Sequence, residues 1–205
     1  MKKGYSSLIL LILFITMGCK SLMRKVYGVE NPQIKNISKI QKYLSSEDID
    51  TTKTLVFKNL GAFATATKME GGLEIPNAYF FNSKGNFVSY KKKAEDCNAL
   101  IDDFISDMKY IDSLHIDESK NIRSLLGLIQ TTSFKEVKTE GDFDMYVIIT
   151  WATYAGELNE EKAFLWVELL EKISSEGVKI KYYLLNCDFH EHWNMSKDEI
   201  KALNL

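Results

Sequence analysis

From Cys187 to His192 the chain reads Cys-Asp-Phe-His-Glu-His, five potential metal ligands in six positions. Zinc and copper take thiolate and imidazole donors, so Cys187, His190 and His192 are the set such a site would use. That spacing follows no established metal pattern, and a polar loop with Trp193 packed beneath it is the plainer reading. The chain has three cysteines, at 19, 97 and 187. Cys97 and Cys187 are candidates for thiol chemistry, which needs a reactive thiolate and often a second thiol to resolve the mixed disulfide. A third stretch, Trp151-Ala152-Thr153-Tyr154-Ala155-Gly156-Glu157-Leu158, places Tyr154 and Glu157 at the start of an expected helix. A carboxylate there is favoured by the helix dipole without any catalytic role.

These residues need elements to hold them. Met145 to Trp151 is almost wholly apolar, the mark of a strand covered on both faces. Asn159 to Ile173 has helical spacing, with Phe164, Leu165, Leu169 and Ile173 expected inward and Gly177 as its stop. Val178 to Leu185 reads as a second strand. Strand, helix and strand form a βαβ unit, which makes the two strands parallel.

Upstream, Asn36 or Ser38 can cap a helix to about Leu44, and Thr54–Lys58 is a short strand candidate. Leu60–Met69 reads as a weak helix. Asn77–Phe81 and Phe87–Tyr90 flank an Asn/Ser/Gly turn and predict a β-hairpin entered through Ile75-Pro76. Leu100 to Ile111 has a helical period. Asp117 can cap a further helix with Ile122, Leu125, Leu126 and Ile129 on its inner face.

Length and composition frame these elements. The chain has 205 residues, 45% hydrophobic and 12% aromatic, with 26 basic and 28 acidic side chains. One domain is expected, disorder is excluded, and nothing in the charge balance calls for nucleic acid. Three cysteines are too few for a disulfide scaffold.

Lys2 and Lys3 precede the apolar run Leu8–Ile15. The run is too short for a bilayer span but suits a secretory signal. Ile15-Thr16-Met17-Gly18-Cys19 then resembles a bacterial lipobox, with Thr16 and Met17 looser than usual. The resemblance implies a lipid anchor on Cys19. The expected organisation is a signal peptide at 1–18, a lipidated tether at 19–35 and a domain at 36–205. Its hairpin half covers 50–111 and its βαβ half 131–205. The expected location is the cell envelope, periplasm-facing, with the outer membrane slightly favoured by Lys20. The membrane is then one partner, through the anchor.

Trp151-Ala152-Thr153-Tyr154-Ala155-Gly156-Glu157-Leu158 resembles the Trp-Ala-Thr-Trp-Cys-Gly-Pro-Cys signature of thioredoxin-like proteins, especially the membrane-tethered periplasmic ones. The resemblance implies an α/β fold, a mixed sheet flanked by helices, with a cis-proline beside the motif; Ile75-Pro76 looks like that proline. Ala155 and Leu158 stand where the family has its redox cysteines, so its dithiol reaction does not carry over. Pro76 precedes the motif instead of following it. The fold is therefore expected to be circularly permuted, the alternative being two small α/β subdomains packed together. In the permuted arrangement Cys97 and Cys187 sit about three strands, about 14 Å, apart, beyond the roughly 7 Å a disulfide spans. Three functions follow. One is a non-catalytic module holding a protein or peptide at the Trp151, Tyr154, Ala155, Glu157, Leu158 and Pro76 edge. The second is thiol redox at Cys187, with or without Cys97. The third is metal binding at 187–192. No cofactor is expected.

Overall fold

Side chains of a strand alternate between faces, and this chain has helices for both faces. In β7 (Met145–Trp151) every residue is buried. Val147, Ile149 and Trp151 join one apolar layer, and Tyr146 and Ile148 the other. The computed structural model describes residues 24–69, 72–89, 115–139 and 141–205. Cys19, Cys97 and the helical series at 100–111 lie outside the described residues.

Among the described residues, seven strands form one mixed sheet in the order β5-β4-β3-β7-β8-β2-β6. They are β2 (Thr54–Phe57), β3 (Asn77–Asn82), β4 (Asn86–Ser89), β5 (His115–Asn121), β6 (Ile129–Thr131), β7 and β8 (Ile180–Asn186). β7, β8 and β2 are parallel, and the other neighbours are antiparallel. The hairpin β3–β4 pairs with β7 from Asn77↔Thr150 to Asn82↔Met145. One sheet therefore joins both halves of the chain, and the two-subdomain alternative falls. A seven-stranded mixed sheet flanked by helices, with the hairpin antiparallel to the first strand of the βαβ unit, is consistent with the thioredoxin-like α/β class expected.

One face is covered by α1 (Ile37–Ser46) and α4 (Leu165–Ser175), which bring Ile40, Leu44, Trp166, Leu170 and Ile173 to the sheet. The other is covered by α2 (Leu60–Lys68) and α3 (Ile122–Leu126) through Ala62, Ala66, Ile122 and Leu125. Asn36 caps α1 by accepting from the Lys39 N–H at 2.9 Å, and Asn59 caps α2 by accepting from Ala62 at 2.8 Å. Each satisfies one of the orphan donors of a helix N-terminus. Among the described residues no helix is long and apolar enough to cross a membrane.

Two sequence expectations are corrected. Residues 115–121 form edge strand β5, so Asp117 does not cap a helix; its carboxylate accepts from the backbone N–H and hydroxyl of Ser119. Asn121 caps the five-residue α3 instead, and Ile129 begins β6. Pairing with β4 overrides the local helical pattern, and the charged side chains Glu118 and Lys120 suit an open edge. Leu165 is 43% exposed rather than inward. A π-helical turn at Glu160–Phe164 precedes α4 and shifts its phase, so Trp166 and Val167 take the inner positions.

Candidate functional site

β7 ends at Trp151, and the chain leaves the sheet through a 3₁₀ turn, Thr153–Ala155. Polar side chains fix this turn. Asp188, fully buried, accepts from the Thr153 N–H at 2.9 Å, the Thr153 hydroxyl at 2.8 Å and the Asn186 amide at 2.8 Å. Burial nonetheless pushes its carboxyl above the usual range, against the pull of these donors. Asn159, also buried, donates to the Ala152 carbonyl at 2.8 Å and to the Tyr43 hydroxyl at 3.1 Å. Tyr43 in turn stacks on Trp151 with ring centroids 5.6 Å apart.

Pro76 follows a cis Ile75–Pro76 bond. Asn77 pairs with Thr150, so the antiparallel register brings Pro76 level with Trp151. Thr150 donates from its hydroxyl to the Glu74 carbonyl at 2.7 Å, tying the segment before Pro76 to β7. Ile75, Tyr79 and Tyr154 pack in the layer that contains Cys187.

This edge is closed. Ala155 is 3% exposed, Leu158 half-buried and Glu157 exposed. Burial, then Cys187 and Asp188, push the Tyr154 phenol well up. Residues 24–30, expected as part of a tether, form a strap across the turn. The Glu157 N–H donates to the Tyr27 carbonyl at 2.9 Å, and the Glu30 N–H to the Tyr154 carbonyl at 2.9 Å. Gly156 makes the approach possible. Its φ is +57°, and a Cβ there would lie 2.2 Å from the Tyr27 carbonyl oxygen and 2.7 Å from that of Gly28. Only glycine tolerates both the conformation and the contact. Beyond the strap, β1 (Ile34–Lys35) pairs in parallel with β9 (Phe189–His190).

Cys187 is a free, fully buried thiol, 3.5 Å from the Leu185 carbonyl oxygen. Burial, and then Asp188, push its pKa well up, the reverse of what a nucleophilic thiolate needs. His190 is fully buried, and neither ring nitrogen has a hydrogen-bond partner. Burial and the neighbouring His192 lower it to about 3, with a small opposing pull from the Asn186 backbone. The His192 Nε2 lies 3.2 Å from the Phe57 carbonyl oxygen, and its ring packs against Phe134 at 5.0 Å. Among the described residues no three His, Cys, Asp or Glu side chains gather as a metal cage. His190 and His192 lie side by side, with ring centroids 5.0 Å apart and both rings against Trp193, but no third ligand joins them among the described residues.

A second region went unmarked in the sequence. Over the β3–β4–β5 face lies a cavity of about 490 Å³, floored by Tyr79, Phe81 and Phe87 and walled by Met69, Leu73 and Leu125. Its volume lies in the small-ligand range. Lys120 and Asn121 stand on its β5 side. The signal lay in alternation: Tyr79, Phe81 and Phe87 point to one face, and α2 meets that face with the small residues Ala62 and Ala66.

With this geometry in hand, comparison with known proteins adds no relative: no family profile matches the chain, no curated protein matches it, and no solved structure matches it.

Proposed function

We propose that this chain is a lipid-anchored extracytoplasmic module that binds or assists a protein or peptide partner and does no dithiol chemistry. The closed edge carries the reading. The Trp151-Ala152-Thr153 framework, its Asp188 and Asn159 locks and the cis Pro76 are kept, while Ala155 is buried where a thiol would have to be exposed. Cys187, the one described thiol, is sealed in the core. A framework held this firmly without a nucleophile suits a scaffold. The anchor follows from the lipobox-like Gly18-Cys19 after a short apolar run.

The full-length protein, taken from membranes in detergent, tests both parts. Mass spectrometry of its N-terminal peptide is expected to begin at Cys19 and carry diacylglycerol. Ellman's reagent is expected to modify Cys187 only after denaturation, and insulin reduction is expected at background. A Cys97–Cys187 bond that cycles with dithiothreitol would replace this reading with a redox protein.

A further inference from the structure

We infer that the strap-covered edge, Tyr154–Glu157 with residues 24–30, is the face the domain presents to the lipid surface, and that the strap sets that orientation. The inference rests on the lipid anchor at Cys19 and goes beyond it to how the folded domain is held.

Chain length makes the argument. Cys19 lies five residues before Arg24, and five residues span at most about 18 Å even when fully extended. Arg24 opens the strap, whose carbonyl accepts from the Val29 N–H at 3.0 Å. Tyr27 and Glu30 are hydrogen-bonded to the motif turn itself. The anchor point is therefore confined near this edge. Without the strap, the next fixed point is β1 at Ile34, and the leash would reach at most about 54 Å, enough for the domain to tumble freely.

The strap surface fits a bilayer. Val26 is 57% exposed, the most exposed large hydrophobic among the described residues, and Arg24 and Lys25 beside it are exposed. An apolar side chain flanked by cations suits an interface with anionic headgroups. Glu30 and Glu157 lie on the same side and limit the electrostatic part, so orientation depends mainly on the short leash. The opposite end of the sheet carries Asp142, 91% exposed, just before β7. It is about 20 Å farther away, since β7 has seven residues at about 3.3 Å each.

The test uses the lipidated full chain in vesicles of phosphatidylethanolamine and phosphatidylglycerol. In a Cys97→Ser background, a fluorophore is placed at Val26→Cys or at Asp142→Cys, and energy transfer to a headgroup-labelled lipid is read. Transfer at position 26 is expected to exceed that at 142 by about threefold or more. Gly156→Ala, which forces the strap off, is expected to bring the ratio close to one. A twelve-residue Gly/Ser insertion after Met23 leaves the fold untouched and is expected to reduce transfer at both positions. Equal transfer at 26 and 142 in the unmodified chain overturns the inference. So does a doubled molecular size in detergent with the position 26 label shielded, which would make the occupant a second copy. Protein that carries no lipid and does not float with vesicles overturns the anchor instead, a separately readable failure.

Discussion

The Trp151–Asn159 edge and the Tyr79–Phe87 face lie on the same sheet and have opposite histories of space and pattern. The edge carries the recognisable motif, but it is filled: Asp188 and Asn159 satisfy its backbone, and the strap covers Gly156. The face carries no motif, but it holds a cavity of about 490 Å³ over three aromatic rings. The Trp151–Asn159 edge is a packing element in this molecule, so ligand chemistry is better sought where the core is incompletely filled.

The sharpest way to break that comparison is to cut the polar lock. Asp188→Ala leaves the Thr153 N–H and the Asn186 amide without their acceptor in a buried site. A loss of about 3–5 kcal/mol is expected in urea unfolding. If Asp188→Ala costs under about 1 kcal/mol, the edge is not the rigid scaffold described above.

Acid probes β9, just beyond Asp188, through His190. Its pKa is about 3 in the fold and 6.5 as the unperturbed value, so the unfolded state takes up the proton first. Stability is therefore highest above pH 6.5 and falls as the pH drops from 6.5 toward 3. Between pH 7 and pH 5 about 2 kcal/mol is expected to be lost. Asp188 works the other way: its raised folded pKa makes its own contribution fall as pH rises above the unfolded carboxylate range. Comparing the chain with His190→Phe isolates the histidine. Most of the pH 5 loss should disappear in that variant, the remainder belonging to His192, which burial also lowers; persistence of the full loss would place the acid sensitivity elsewhere.

A matched pair of substitutions sharpens the contrast in packing. Ala155 and Ala66 are both buried alanines, one in the closed edge and one lining the cavity. Ala155→Leu is expected to cost about 1–3 kcal/mol by overpacking. Ala66→Leu is expected to stay within about 1 kcal/mol, because its added atoms enter open space. Equal costs in thermal melts would mean that the cavity is not open in solution. The smallest effect is expected for Ala155→Cys, which places a thiol in the closed edge. Its stability should change by less than about 1 kcal/mol, and Ellman's reagent should not reach it before unfolding.

Much of the frame was legible in local pattern. The unbroken apolar run at 145–151 announced a doubly covered strand, the Asn/Ser/Gly turn announced the hairpin, and the Trp-Ala-Thr match with Pro76 anticipated their adjacency. What failed locally failed for tertiary reasons. β5 looked helical beyond Asp117 because nothing within that segment reveals that β4 offers it a pairing edge. Leu165 looked inward because the π turn before it, which resets the phase, leaves no mark in a 3.6-residue period. The cluster at 187–192 matched no metal spacing, and the fold brings His190 and His192 together without a third ligand among the described residues.

By itself the sequence determined the α/β class, the strand and helix alternation, the absence of cysteine at 155 and 158, and the lipobox-like start. These depend on residue type and short-range spacing, which act within a few residues. Only the tertiary structure decided that Tyr27 and Gly28 lie on Gly156, that Cys187 and His190 are sealed from water, and that a cavity opens over Tyr79 and Phe87. Each of these depends on which distant segments exclude water from one another, and no local period encodes that.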